Sequence, residues 1–282
     1  MELLNIKDNK EIHNKFATPY GDVYINTVAK HNSIRLSGGF DSAVVLYMLA
    51  KTLSDYNNTD AVIHPFTVQR SNPTTIEEYE RVDCVQYAKQ IIDYVRKCFP
   101  NVTINDTIVE PANYWWVHRF VDGANVSSYG TAQETVSNYL RWRYGDGNTE
   151  LFPKPPYYVT PQNLIYCEYN GLTRNPPVDA LPQSDESHRD NIDPNVVIKN
   201  SLTVLHTNKA NSLWHYQYEP FRNGDKRVPF WIADNLDILD TLLTITRSCE
   251  GDIYNTENFT KECSECWWCL ERRWGHENFA KI

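Results

Sequence analysis

One short stretch of the chain combines residue types that bind phosphate groups: Ser37-Gly38-Gly39-Phe40-Asp41-Ser42. An apolar run ends just before it, and an apolar helical pattern follows at residues 43–49. This order predicts a strand, a tight loop and a helix N-terminus, where glycines let a ligand approach the main chain and free N–H groups face it. Asp41 or Ser42 is expected to cap the helix. The stretch therefore predicts a phosphate site, the alternative being an ordinary turn before a helix.

A second group of reactive residues, the cysteine cluster, lies near the C-terminus. Cys263, Cys266 and Cys269 are spaced by two residues each, and Cys249 precedes them across a loop. Four thiolates at this spacing suit a closed tetrahedral Zn²⁺ site, whose role would be structural because no position is open to water. The alternatives are a four-cysteine iron–sulfur cluster, His276 in place of one thiol, or buried free cysteines.

The N-terminal loop is not a Walker A loop, because the Gly-Lys-Ser/Thr ending is missing. It resembles the pyrophosphate-binding loop, Ser-Gly-Gly-x-Asp-Ser, of the N-type ATP pyrophosphatases, which hold ATP while a substrate carbonyl or carboxylate is adenylated. The resemblance implies that ATP is bound by these residues: Leu36, Ser37, Gly38, Gly39, Phe40, Asp41 and Ser42. It implies catalytic roles for Asp41, which would position Mg²⁺ or the loop, and for Lys226, which would reach the phosphates. For Lys226 the alternative is a solvated surface lysine.

The C-terminal segment resembles the zinc signature of the 7-cyano-7-deazaguanine synthases. The matching residues are Thr246, Ser248, Cys249, Cys263, Cys266, Cys269, Arg272 or Arg273, and Gly275. Three features depart from the pattern: Ser264 where many members have glycine, the Trp267-Trp268 pair, and His276 where phenylalanine is usual. The middle of the chain, about residues 111–195, is a long aromatic-rich insertion, whose aromatics would either pack the sheet or stack on a planar heterocycle.

The resemblance implies an ATP-dependent C–N ligase. The family adenylates 7-carboxy-7-deazaguanine and uses ammonia to form 7-cyano-7-deazaguanine (preQ0), a step of queuosine biosynthesis, releasing AMP and pyrophosphate. The implied cofactors are ATP, Mg²⁺ and Zn²⁺, and the implied partners are a carboxylated deazapurine or similar small molecule and ammonia. The supply of aromatic residues is compatible with a homodimer. Two alternatives stay open. The same chemistry could serve another acceptor (a modified nucleobase, a protein or a sulfur-transfer substrate), or the chain could bind ATP or AMP without turnover.

Composition is consistent with a folded enzyme that handles a small ligand. The 282 residues are 41% apolar and 13% aromatic, enough for a sizeable core. The excess of 36 acidic over 27 basic residues, a net charge of −9, argues against a bulk electrostatic grip on nucleic acid. With no apolar run long enough for a bilayer, no signal-peptide pattern and clustered cysteines, we expect a cytoplasmic protein.

The elements that must position these residues alternate between strand and helix. Residues 61–68 read as a second strand that ends or bulges at Pro65, and 75–99 as a helix. Two apolar runs between 102 and 109 read as a third strand or a hairpin, and 21–28 as an edge strand. The alternation predicts an α/β fold with a parallel sheet. The resemblance refines it to a Rossmann-like sheet with helices on both faces (adenine nucleotide alpha hydrolase-like), with adenine near residues 65–68.

The second half is expected to hold fewer regular elements. Residues 133–144 are predicted as a helix, 164–169 as a strand, 176–195 as a long loop or lid, 200–214 as strand or helix, and 228–245 as a helix. In related enzymes the segment at this place faces substrate, so the resemblance implies five candidates, the alternative being ordinary loop residues: Glu168, Asn170, Thr173, Arg174 and Asn175. We expect a nucleotide-binding domain over 1–227, with the insertion, and a helical zinc-binding region over 228–282.

Overall fold

The structure is a computed structural model that describes residues 12–72, 79–81, 83–113, 129–144, 166–181, 189–192, 201–210, 213–251, 255–257 and 260–281. The strands are β1 His13–Thr18, β2 Gly21–Asn26, β3 His31–Arg35, β4 Val62–Asn72, β5 Tyr79–Arg81, β6 Thr103–Ile104, β7 Ile108–Asn113, β8 Tyr166–Tyr169, β9 Val204–Ala210 and β10 Leu213–Glu219. The helices are α1 Phe40–Asp55, α2 Asp83–Cys98, α3 Tyr129–Tyr144, α4 Arg227–Asn235, α5 Leu239–Ile245 and α6 Trp267–Asn278. None of the described helices is both long and apolar enough to cross a membrane.

The central sheet is mixed and mostly parallel. Its described strands run in the order β5-β4-β3-β8-β10-β9, and both β6 and β7 pair with β4. Strand β3 is parallel to β4 and to β8, and β8 is parallel to β10. The antiparallel pairs are β4 with β5 and β10 with β9. The expected α/β class with a parallel central sheet is confirmed at this level.

Alternate side chains of the central strands enter two different cores, as expected for a strand covered on both faces. On one face Ile34, Cys167 and Tyr169 pack in the main core with α1, α2, α4 and α5. On the other face Phe66 and Tyr166 pack against α3. Helix α3 therefore covers the face of the sheet opposite to α1.

Pro65 does not end its strand, contrary to the sequence prediction. The main-chain N–H of Val62 donates to Lys30 and the carbonyl of Phe66 accepts from Leu36, so these residues bond towards β3. Ile63 instead accepts from Asn105 on the β6 side. Pro65, two residues after Ile63, likewise directs its backbone groups away from β3 and towards the edge where β6 and β7 pair. It lies in the gap between these two strands, after β6 has ended and before β7 begins. Its missing N–H falls at this interruption, so the strand continues to Asn72.

Several other element predictions are wrong in detail. Residues 21–28 do not form an edge of the central sheet, because β2 pairs with β1 in a separate two-stranded sheet. The helix expected from residue 75 begins at Asp83, because residues 79–81 pair with the end of β4, which extends beyond β3. The runs at 102–109 are two strands parallel to β4 and not a hairpin.

The C-terminal half also differs from the sequence prediction at one helix. The expected helix over 228–245 is two helices, because Asp237 adopts a left-handed φ of 56° between α4 and α5. The ambiguous residues 200–214 contribute to the antiparallel pair β9–β10. The expected helix at 133–144 and strand at 164–169 are confirmed within the described residues, as α3 and β8.

The division of the chain at residue 227 stays a prediction. Val228 and Phe230 of α4 and Leu242 of α5 belong to the same core as α1. Of the predicted insertion, the structure describes only residues 111–113, 129–144, 166–181 and 189–192, so the aromatic runs at 114–120 and 157–159 lie outside the described residues.

Candidate active site and cysteine centre

The stretch Ser37-Gly38-Gly39-Phe40-Asp41-Ser42, called the glycine loop below, joins β3 to the first turn of α1 at the carboxyl end of the parallel strands. Gly38 has a left-handed φ of +81°, and a Cβ there would lie 2.8 Å from the Cys84 carbonyl, so the position requires glycine. The side chains of Leu36 and Phe40 are buried in the core, so only their main chain could meet a nucleotide. Strand β4 lies beside the loop, because Thr67 Oγ1 donates to the Leu36 carbonyl at 2.7 Å.

Helix α1 begins without the predicted side-chain cap. Its N-cap residue is Gly39, and no described side chain caps the helix. Ser42 Oγ donates to the Gly39 carbonyl at 3.0 Å, and Asp41 is held by Lys226, so neither predicted capping residue fills that role. The N–H groups of the first turn are thus left for a ligand, which is the arrangement that favours anions at helix N-termini.

Lys226 contacts Asp41, although the two residues are 185 positions apart in the sequence. Its Nζ donates to Asp41 Oδ2 at 2.5 Å, and the lysine side chain is only 6% exposed. Burial raises the pKa of Asp41, although the neighbouring Lys226 ammonium lowers it. The structure therefore brings together the two residues predicted to be catalytic, and Lys226 is a buried lysine and not a solvated one.

Two further charged residues extend this pair, and the sequence did not identify either. Glu271 of α6 is fully buried, with Oε2 3.4 Å from Lys226 Nζ. Its Oε1 accepts a hydrogen bond from Arg189 at 2.6 Å. Asp41, Lys226, Glu271 and Arg189 alternate in sign, and we call them the charge chain. Glu271 follows Cys269 by two residues, so only its place beside the metal motif could have drawn attention to it.

Arg189 is held from several sides. Its guanidinium donates to the carbonyl and the hydroxyl of Thr173, at 3.3 and 2.8 Å, and lies 5.0 Å from the ring of Trp268. The adjoining main chain pairs with Asn175, whose N–H donates to Asp190 and whose carbonyl accepts from Ile192. The predicted long loop is thus anchored at residues 189–192 against the loop that follows β8.

Two glycines allow close approach around the charge chain. A Cβ at Gly275 would lie 2.7 Å from Lys226 Cγ, so α6 needs glycine there to let the lysine pass. A Cβ at Gly171 would lie 3.0 Å from the main chain of Asp41 and of Ser42. The loop after β8 is therefore in close contact with the first turn of α1 at Gly171. Further along the same loop, Thr173 and Asn175 contact residues 189–192.

The remaining substrate-facing candidates have structural partners. Glu168 is fully buried and accepts from Arg35 at 2.9 Å, Arg141 at 2.6 Å and Ser137 at 3.0 Å. Burial raises the pKa of Glu168, but the two guanidinium groups outweigh it and hold the pKa below its usual value. Glu168 therefore docks α3 on the sheet as a carboxylate.

Two other candidates from the same loop contact neighbouring elements. Asn170 Nδ2 donates to Glu219 at 3.4 Å, and the Arg174 N–H donates to the Gly224 carbonyl at 2.8 Å. These bonds fix the path of the loop after β8.

The four cysteines predicted as metal ligands do come together. The sulfur atoms of Cys249, Cys263, Cys266 and Cys269 all lie within 4.8 Å of one another, so the cluster could hold a metal ion such as zinc. Main-chain N–H groups of Cys263 and Gly251 donate to Cys249 Sγ at 3.2 and 3.3 Å. Hydrogen bonds from the Cys266 and Cys269 thiols and from these N–H groups lower the pKa of Cys249, and their bonds to Cys249 raise the pKa of Cys266 and of Cys269.

His276 is not part of the metal-holding group found among the described residues. Its ring lies 5.5 Å from that of Phe230 and 6.1 Å from that of Phe279. The geometry therefore favours Cys249 over His276 as the fourth ligand.

The cysteine centre is tied directly to the glycine loop. Arg272, the buried member of the Arg272-Arg273 pair, donates to the carbonyls of Thr246 at 3.0 Å and Leu243 at 2.9 Å. One residue after Thr246, the N–H of Arg247 donates to the Gly38 carbonyl at 2.9 Å. The segment that carries the first metal-ligand candidate, Cys249, therefore supports the glycine loop as well.

Comparison of the sequence with protein-family models gives no match, and comparison with curated proteins gives none either.

Proposed function

We propose that the chain is an ATP-dependent ligase with the Rossmann-like nucleotide fold of the N-type ATP pyrophosphatases. Its substrates would be ATP with Mg²⁺, a carboxylated deazapurine and ammonia, and its products the nitrile, AMP and pyrophosphate. One observation carries the proposal. The buried ammonium of Lys226 lies 2.5 Å from Asp41, at an uncapped helix N-terminus that follows a glycine loop. A positive charge and free main-chain N–H groups lie close together there, and both kinds of group bind the phosphates of nucleotides.

The donor set also fits the metal ion. Asp41 Oδ1 is buried and accepts no hydrogen bond from the residues described, so a carboxylate oxygen is available for a cation. Carboxylate oxygens combined with substrate phosphates are the usual ligands of Mg²⁺. When bound, Mg²⁺ would neutralise charge on the phosphate oxygens.

The chemistry is activation of a poor electrophile. A carboxylate oxygen of the acceptor attacks the α-phosphorus of ATP, and pyrophosphate leaves. Ammonia then attacks the carbonyl carbon, AMP leaves, and a proton is lost to solvent, which gives the amide. A second adenylation, on the amide oxygen, releases pyrophosphate and one N–H proton. Loss of AMP together with the other N–H proton then gives the nitrile.

The protein's part in these steps is positioning and electrostatics. Main-chain groups of the loop would hold the departing pyrophosphate, and Lys226 would stabilise the charge that develops on it. Metal bound by the cysteine cluster, proposed to be zinc, would only brace the fold, since four thiolates leave no open position.

A direct assay tests the proposal. The zinc-loaded protein is incubated with ATP, Mg²⁺, ammonium and 7-carboxy-7-deazaguanine, and AMP and the nitrile are measured by mass spectrometry. We expect both products from the wild type and neither from Asp41→Asn. A properly folded, zinc-loaded protein that makes neither product would contradict the proposed substrate.

The two alternatives give different outcomes in the same assay. Adenylation of another acceptor would produce AMP only when that acceptor replaces the deazapurine. A nucleotide-binding module would bind ATP and leave pyrophosphate at background with every acceptor.

A further inference from the structure

Glu271 is a buried carboxylate that the proposed chemistry does not use. Its side chain is fully buried, and it shares Lys226 with Asp41, at 3.4 Å against 2.5 Å. Its Oε2 accepts no hydrogen bond from the described residues. Transfer of a carboxylate from water to the protein interior has a high free-energy cost unless a positive charge lies beside it, so Glu271 requires a cationic neighbour.

Arg189 supplies that charge from a different part of the chain. It donates to Glu271 at 2.6 Å, and only 12% of its side chain is exposed. Lys226 is then not the sole cation of Glu271. Without Arg189, the ammonium of Lys226 would be held between two carboxylates, and its attraction for a nucleotide phosphate would be largely cancelled.

The position of Arg189 depends on the loops beside the nucleotide site. Its guanidinium is fixed by Thr173 in the loop after β8 and by the ring of Trp268 at the start of α6. The N–H of Asn175 donates to the Asp190 carbonyl at 3.0 Å, which joins the two loops next to the arginine. The same loop after β8 contacts the first turn of α1 at Gly171.

We propose that Arg189 is a positioning residue that neutralises Glu271 and so leaves Lys226 available to the nucleotide phosphates. The contacts between residues 189–192 and the loop after β8 hold Arg189 in place, and through it they determine the affinity of the site for Mg·ATP. This inference rests on the proposed nucleotide site and adds a device that controls it.

A double-mutant cycle tests this role, with binding of Mg²⁺ and a non-hydrolysable ATP analogue measured by calorimetry. In Arg189→Gln, Lys226 is left as the cation beside both Asp41 and Glu271, so we expect the dissociation constant for the analogue to rise about tenfold. In Arg189→Gln/Glu271→Gln the unbalanced acid is gone, and we expect affinity within about threefold of the wild type. Arg189→Lys keeps the positive charge and should bind more tightly than Arg189→Gln.

The matched control is Arg96→Gln, which removes one arginine charge from a pair with the exposed Asp106 near the C-terminal end of α2. It should leave the affinity unchanged. Zinc content and thermal unfolding are measured for every variant. Glu271→Gln alone provides a second route if Arg189→Gln does not fold, and it should bind the analogue at least as tightly as the wild type.

The possible results separate the two proposals. Unchanged affinity in Arg189→Gln, or weaker binding in Glu271→Gln, would overturn the inference. So would a weakened Arg189→Gln that the second substitution does not rescue, because Arg189 would then act only by holding the loop. A wild-type protein that binds no nucleotide would instead remove the proposed function, and the inference with it.

Discussion

Ser264 carries an unfavourable backbone conformation in the middle of the cysteine cluster. Its φ is +65°, in the left-handed region that glycine adopts without steric cost. The position is also the one where the resembled family often has glycine. Ser264 is exposed, and its left-handed backbone conformation should lower the stability of the folded protein by a measurable amount.

Ser264→Gly should therefore stabilise the zinc-loaded protein. Relief of the left-handed strain is worth about 1 kcal/mol, partly offset by the greater freedom of glycine in the unfolded chain. Urea unfolding of both proteins at equal zinc occupancy measures the difference. A loss of stability in the variant would show that the serine makes a contact that outweighs the strain.

Gly275→Ala should separate nucleotide binding from metal binding. The added methyl would meet Lys226 Cγ at 2.7 Å, so the lysine or the helix must shift. We expect Mg·ATP affinity to fall about tenfold and stability to drop by about 1–3 kcal/mol, with zinc content unchanged. Glu277→Ala, at an exposed position of the same helix, is the control and should match the wild type. Full nucleotide affinity in Gly275→Ala would contradict the role given to this glycine.

Sequence reasoning finds residues whose role depends on close neighbours in the chain. The glycine loop and the clustered cysteines have short, characteristic spacings. Glu271 and Arg189 have none, since their contact spans 82 residues and arises only when α6 packs near the loop after β8. The role of each depends on its burial and on the charge of the residue it contacts, and neither property can be inferred from the neighbouring sequence.

At the scale of elements, α3 is docked on the sheet by an ion pair at one end of the strands and by an aromatic stack at the other. Near the carboxyl ends of the strands, Glu168 binds Arg141 of the helix. At the other end of the strands, Tyr144 stacks on His64 with ring centroids 4.0 Å apart. His64 also contacts His31 at 3.1 Å and the amide of Asn105 at 3.0 Å, which places neutral imidazoles beneath the end of the helix.

The histidine pair should make the fold sensitive to acid. Burial, reinforced by His31 and Arg143, lowers the pKa of His64 from 6.5 to about 4. Between these values the unfolded chain binds a proton that the folded protein excludes, so the free energy of unfolding falls as the pH drops. From pH 7.5 to pH 5.0 the loss from this group is about 2 kcal/mol.

His64→Gln offers the comparison, because glutamine can still bond to Asn105 and to His31 without titrating. Urea unfolding at pH 7.5 and pH 5.0 should show a smaller loss of stability in the variant than in the wild type. Equal losses would mean that His64 is not the responsible group.

Strand and helix order was largely predictable, and element ends were not. Periodicity identified α3, β8 and the first strand–loop–helix unit. The errors fall where pairing with a distant strand decides the outcome. Residues 79–81 form a strand only because β4 extends past β3, and Pro65 is tolerated only because β6 and β7 leave a break opposite it.

At the scale of the whole molecule, the two sequence motifs meet as one structure. The glycine loop near the N-terminus accepts a hydrogen bond from Arg247, two residues before Cys249 of the metal cluster. Lys226 completes the link, because it lies between Asp41 of the loop and Glu271 of α6. The metal centre is therefore expected to affect nucleotide binding without touching the nucleotide.

Removal of zinc should test that coupling. We expect elemental analysis to find zinc equimolar with the chain. Chelation should lower the midpoint of thermal unfolding and weaken Mg·ATP binding, because the segment that supports Gly38 loses its anchor. Restored zinc should restore both properties. A brown protein with visible absorption would indicate the iron–sulfur alternative, and unchanged binding after complete chelation would contradict the coupling.

The bond from Arg247 to Gly38 also has a consequence for biosynthesis. A ribosome releases the glycine loop early, whereas its supports at residues 247 and 269–275 emerge more than two hundred residues later. A nascent chain would therefore hold an incomplete nucleotide pocket until the cysteine cluster had been made and metallated. Competence to bind ATP would then arrive abruptly, at that point of synthesis.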